Sequence, residues 1–198
     1  MSLTSHRSMP PGRLLQTFAG SVALVIAAAP LSMPTPLRAE EIVTVEPIQR
    51  IRRSILVDRP CAVVWPYLND FSGIGNWYKA FRSVRYHSGP RGQVGEIREI
   101  VRASNGQLVR EKLIYLDPES LELAYSHVLN PPARDIVTLV SLQPVAQAQC
   151  QVSWSNTFRL KPGQQPAQVS GFFTKAYGNV LQGLKTYVEA QTPEPPVR

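Results

Sequence analysis

The sequence predicts an α+β fold: a seven-stranded curved antiparallel sheet wrapped around one long C-terminal helix, with two short helices after the first strand. Three observations carry this. From Val84 to Arg159 the residues alternate with period two, and turn residues cut the run at short intervals. Residues 169–190 instead repeat apolar side chains at spacings of three and four. Between the first strand and the alternating region, two short stretches are interrupted by Pro60, Pro66 and a Gly-rich step. Neighbouring antiparallel strands with their helices segregated make an α+β architecture. If the short helices prop the sheet away from the long helix, a cavity remains between them.

The elements follow in order. Gln49–Val57 reads as the first strand, Pro60–Leu68 as a short helix with proline at its start, and Ile74–Phe81 as a second short helix. Six strands follow: Val84–Ser88, Glu96–Arg102, Leu108–Leu116, Leu121–Val128, Asp135–Pro144 and Gln149–Arg159. Gly89-Pro90-Arg91-Gly92, Ser104-Asn105-Gly106, Asp117-Pro118-Glu119 and Asn130-Pro131-Pro132 separate them. Asn-Gly between alternating segments is a strong hairpin signal, and short spacers join antiparallel neighbours. Lys161–Pro166 is a loop. Val169–Ala190 is the long helix, with Val169, Phe172, Phe173, Ala176, Tyr177, Val180, Leu181, Leu184 and Val188 on its apolar face.

Composition bounds the function. Of 198 residues, 43% are hydrophobic and 18% charged, so the chain can fold around a core. Arg7 and Arg13 precede an uncharged apolar run, Leu14–Ala29, then Pro30, Pro34, Pro36 and Leu37-Arg38-Ala39. Residues 1–39 thus read as a signal peptide for export to the periplasm or outside the cell. The run is short of the ~20 residues of a comfortable span. Cleavage falls after Ala39 or after Ala29; an uncleaved anchor is the alternative. Residues 40–48 are a linker, 49–190 the domain, and 191–198 a disordered tail. The leader holds three of the arginines and no acid, so its loss takes the net charge from +7 to an ordinary +4. No basic cluster with interleaved aromatics suggests nucleic-acid binding. Two Cys and three His are too few for a standard structural zinc site, and Gly89–Gly95 lacks the ending of a phosphate loop. No cofactor or metal is expected. Ser126 and His127 are adjacent in a strand and point to opposite faces, so they form no dyad.

Strand parity indicates what can line a cavity. A two-residue loop at Asn105-Gly106 places Arg98 diagonal to Glu111; a four-residue loop places them directly opposite. Either puts both on one face. Val109, Glu111, Leu113 and Tyr115 alternate with Arg110, Lys112 and Ile114, and the charged set marks the solvent side. Arg98 and Glu111 then project inward, where a charge must be paired. They are either a structural ion pair or the polar anchor of a site, in which the guanidinium holds a ligand oxygen and the carboxylate carries a proton. Tyr125 and His127 share one face of the fifth strand, and Trp154 and Asn156 one face of the last. Phe172, Phe173 and Tyr177 lie on the inner face of the long helix. With Trp77 and Tyr115 these are core residues or ligand contacts, and in a hollow core the two overlap. His127 is a proton carrier or simply hydrogen-bonded.

Five stretches taken in order carry a resemblance. They are Ile55–Trp65 (ILVDRPCAVVW), Leu68-Asn69-Asp70-Phe71, Asn76-Trp77, Gly95-Glu96-Ile97-Arg98, and Arg110-Glu111-Lys112-Leu113 followed by Asp117. Over about residues 49–190 the chain resembles the polyketide cyclase/dehydrase-type members of the SRPBCC superfamily, the START-like, birch-pollen-allergen-like helix-grip domains. Within these it is similar to lachrymatory-factor-synthase-like proteins and to periplasmic members of the MxaD type. The resemblance implies a helix-grip fold and a domain enclosing a small apolar or amphipathic ligand. It equally implies two alternatives: a cofactor-free cyclase, isomerase or lyase using Arg98 and Glu111, the positions matching the catalytic pair of the lachrymatory-factor-synthase-like proteins, or a periplasmic accessory partner of an oxidoreductase. It further implies that the first strand pairs with the last. Cys61 would then lie near Cys150, either bonded or as two separate buried thiols.

Overall fold

The computed structural model describes residues 47–191. The expected signal peptide, the start of the linker and the tail beyond Gln191 lie outside them. The elements are β1 (Gln49–Val57), α1 (Cys61–Asn69), a 3₁₀ turn (Phe71–Gly73), α2 (Ile74–Trp77), β2 (Phe81–Ser88), β3 (Ile97–Arg102), β4 (Leu108–Asp117), β5 (Glu122–Leu129), β6 (Arg134–Ala146), β7 (Gln149–Arg159) and α3 (Pro166–Ala190). All seven strands join one sheet in the order β1-β7-β6-β5-β4-β3-β2, every pair antiparallel.

The largest departures from expectation lie at the second helix and at the start of the long one. The second helix is a single turn: Tyr78 is already extended, and Phe81 opens β2. Gly75 and Asn76 are poor helix formers. The Tyr78 and Phe81 rings instead meet edge to face, with centroids 4.9 Å apart. The long helix begins at Pro166 rather than Val169. Proline suits the first helical position because the amide hydrogen it lacks would have no partner there.

From Leu181 onward the helix is packed solidly: Leu181, Leu184 and Val188 share one core with Val57, Val64, Leu68 and Val152. This end is also cross-linked. Cys61 and Cys150 form a disulfide across Cα atoms 4.9 Å apart. The β1–β7 register that sets Val57 opposite Cys150 brings them together. Lys185 Nζ donates to the Leu56 carbonyl (2.8 Å) and to Glu189 Oε1 (2.6 Å), tying α3 to the end of β1.

A second tie holds the loop between β2 and β3. Glu96 is fully buried; one carboxylate oxygen accepts from Ser72 Oγ and the other from the Gly92 amide (2.5 Å). Gly89 enters this loop at φ 90°, and a Cβ there would lie 2.2 Å from the Gly95 carbonyl oxygen. The loop is thereby fixed to the 3₁₀ turn that carries Phe71.

Candidate functional site

The polar centre of the site is set by the β3–β4 hairpin. The Arg102 amide donates to the Gln107 carbonyl (3.0 Å) and closes a four-residue loop, so Arg98 lies directly opposite Glu111, and β5 places His127 opposite Glu111 in turn. All three side chains are buried. Arg98 Nε and a terminal nitrogen both donate to one carboxylate oxygen, at 2.8 and 2.7 Å. The other carboxylate oxygen lies 3.1 Å from His127 Nε2. Arg98 also donates to the Phe71 carbonyl (2.5 Å) and sits over the Phe71 and Tyr125 rings, 4.0 and 5.0 Å from their centroids. The guanidinium is enclosed by acceptors and π faces, as a buried cation requires.

Burial shapes the titration of this group. It pushes the His127 pKa below the ordinary 6.5, with the Glu111 charge opposing, so the ring is neutral at pH 7. It raises the Tyr125 and Tyr177 hydroxyls far above their usual range, so both act only as neutral hydrogen-bonding groups. Trp154 Nε1 donates to Tyr125 Oη (3.0 Å), and Thr138 Oγ1 and Tyr177 Oη are 3.2 Å apart.

Above this floor lies a cavity of about 420 Å³ between β3–β5 and the N-terminal half of α3. Among the expected site residues, Arg98, Glu111, Tyr125, His127, Trp154, Phe172, Phe173 and Tyr177 line it. Phe172 stands at the rim, 39% exposed, while Phe173 and Tyr177 are buried.

Three expected residues lie elsewhere. Tyr115 points out of the sheet, 43% exposed, with its hydroxyl 3.3 Å from Asp117. The cause is a bulge: Leu113 pairs with Tyr125 but Tyr115 with Ala124, so Ile114 is an extra residue and the parity inverts beyond it. Leu116, rather than Tyr115, then packs on the core. Trp77 is buried below the cavity, its indole donating to the Tyr67 carbonyl (3.1 Å). Asn156 is enclosed near the Tyr177 hydroxyl, outside hydrogen-bonding geometry, and does not reach the cavity wall.

The cavity also includes residues that the sequence reading did not single out: Tyr78, Phe81, Arg102, Ser104, Lys175 and Asn179. Tyr78 and Phe81 were hidden by the expected longer helix. Arg102 shares the parity of Arg98, and Lys175 follows Phe172 by three, so both had a signal.

A curved antiparallel sheet gripping one long helix, with a lined hollow between them, defines a helix-grip domain. The chain belongs to the polyketide cyclase / dehydrase and lipid transport family, whose model matches residues 49–189. Solved structures share the fold. One is a protein from Bacillus thuringiensis, at 17% identity and TM-score 0.64, covering 71% of this chain and 99% of that one. Protein XoxI from Bacillus cereus has 17% identity and TM-score 0.64, with 71% and 96% covered. A protein from Nitrosospira multiformis has 22% identity and TM-score 0.61, with 72% and 97% covered. At these identities the likeness is one of fold. No curated protein matches the sequence. Among the described residues no helix is long and apolar enough to cross a membrane.

Proposed function

We propose that the chain is an exported ligand-binding domain that encloses a small apolar or amphipathic molecule between the sheet and α3. The observation that carries this is the cavity: about 420 Å³, walled mainly by aromatic and aliphatic side chains, with a few buried polar groups converging on one side. That is the usual make-up of a small-molecule site. The family description, which includes lipid transport, agrees with it. The Cys61–Cys150 disulfide supports export, because such bonds persist in oxidising compartments.

The test is binding of the neutral dye N-phenyl-1-naphthylamine, read by its fluorescence, to the protein and to Ala176→Trp. Ala176 lines the cavity from α3, so the indole fills it. Binding to the unaltered protein and its loss in the variant support the reading. No binding, or equal binding to both, refutes it.

One arrangement favours a second reading, cofactor-free cyclase, isomerase or lyase chemistry. Arg98, Glu111 and His127 form one connected array on the cavity wall. A carboxylate coupled to a neutral imidazole can take up and return a proton, and the guanidinium offsets developing negative charge.

A further inference from the structure

The cations of the cavity fall into two groups that differ in what they face. Arg98 is spent: its donors go to Glu111 and to the Phe71 carbonyl. Glu111 is in turn shared between Arg98 and His127. The floor is therefore internally neutralised. Arg102 and Lys175 also line the cavity, nearer its opening, and among the described residues no carboxylate forms a salt bridge with either. Among the described residues Glu111 is the only acidic side chain on the cavity wall. Arg102 lies half-buried at the end of β3, its guanidinium over the Phe172 ring at 5.1 Å from the centroid. Lys175 is exposed one turn along α3. Glu111 acts on Arg102 through space but makes no ion-pair contact with it, so this half-buried guanidinium, stacked on a ring at the entrance to an apolar hollow, keeps its edge donors for an oxyanion.

Building on the ligand-binding reading, we propose that the ligand is a small amphipathic carboxylate whose acid group sits at the rim between Arg102 and Lys175, with its apolar part enclosed by Tyr125, Trp154, Phe173 and Tyr177. The orientation follows from charge. An anionic head driven inward would meet the Glu111 carboxylate in a dry site, where like charges repel strongly. At the rim it meets two cations. The volume sits near the small end of the roughly 300–1,000 Å³ of ligand sites, so the occupant is a compact molecule rather than a two-chain lipid. The planar fork of Arg102 suits the two oxygens of a carboxylate.

The experiment compares 2-naphthylacetate with its neutral isostere 2-naphthylacetamide, by calorimetry at low ionic strength, on the full chain. The acid should bind about tenfold more tightly than the amide. Arg102→Gln should remove most of that gap, and the exposed Lys175→Glu should narrow or reverse it. Arg85→Gln, on the far face beside Glu99, should leave the gap intact. Equal affinity for acid and amide overturns the anion proposal while the ligand-binding reading stands. Tighter binding of the amide overturns it likewise. A gap that survives in both rim variants overturns the assignment to Arg102 and Lys175. Failure of both naphthyl compounds and of N-phenyl-1-naphthylamine to bind overturns the ligand-binding reading itself.

Discussion

Replacing Glu111 by Gln isolates what the buried pair does for the fold. Gln keeps the shape and one acceptor oxygen but removes the charge that two Arg98 nitrogens share at 2.8 and 2.7 Å. Removing one member of a buried ion pair costs about 3–5 kcal/mol, because the partner is left uncompensated. Two features put this case at the low end. Arg98 keeps the Phe71 carbonyl at 2.5 Å, and it keeps the π faces of Phe71 and Tyr125. We expect about 3 kcal/mol, or roughly 6–12 °C in Tm for a domain of this size. The double variant Arg98→Met/Glu111→Leu buries no charge at this position. It should come within about 1 kcal/mol of the unaltered protein or exceed it. Urea unfolding followed by tryptophan fluorescence, applied to the unaltered protein, Arg98→Met, Glu111→Leu and the double variant, gives the four corners of the cycle. A loss below about 1 kcal/mol for Glu111→Gln refutes the argument that the pair is desolvated. A double variant that loses the sum of its singles refutes the argument that the two residues act through each other.

Other outcomes follow from the same structure. Cys61→Ala/Cys150→Ala opens a loop spanning 89 residues and should lower stability by about 2–5 kcal/mol; a urea midpoint that does not move on mutation or on reduction with a phosphine refutes it. Burial holds the folded His127 pKa below 6.5, so below pH 6.5 the unfolded chain binds the extra proton. Stability should therefore fall as pH drops from 6.5 toward the folded value, by at most about 1.4 kcal/mol per pH unit from this group. His127→Phe should flatten that part of the profile, and an unchanged slope between pH 6.5 and 5 refutes it. Gly89→Ala forces a Cβ to within 2.2 Å of the Gly95 carbonyl at a positive φ, and should destabilise by several times the ~1 kcal/mol of an ordinary glycine change. A midpoint equal to that of the unaltered protein means the β2–β3 loop is not fixed as described.

How far the sequence reads depends on the range of the signal. Strand parity is local, so the alternation of β4 and one hairpin were enough to place Arg98 opposite or diagonal to Glu111. The same rule set Tyr125 beside His127. The helix stripe is equally local, and it placed Phe173 and Tyr177 on the inner face. Tyr115 defeats this logic because a bulge leaves no mark in the alternation; Ile114 is as apolar as its neighbours, and only the pairing with β5 reveals it as surplus. Tyr78 and Phe81 defeat it for another reason: aromatic residues after a helical turn fit a longer helix until the packing of their rings is seen. Trp77 and Asn156 have the right parity or spacing but sit below the cavity, and depth is a tertiary quantity.

The rim cations show where such reading stops and structure must begin. In sequence, Arg102 ends a strand before a Ser-Asn-Gly turn and Lys175 interrupts a helix face; each reads as a solvated charge. The structure sets both on one opening, while the interior acid is already taken by Arg98 and His127. On the carboxylate proposal, discrimination by charge resides at the rim, and the floor is left to hold shape and to place a neutral imidazole beside a carboxylate. The two are separable by mutation. A change at Arg102 should alter which ligands enter without lowering stability, whereas a change at Glu111 should lower stability whatever the ligand. A chain in which both substitutions had the same signature would not have its charges divided in this way.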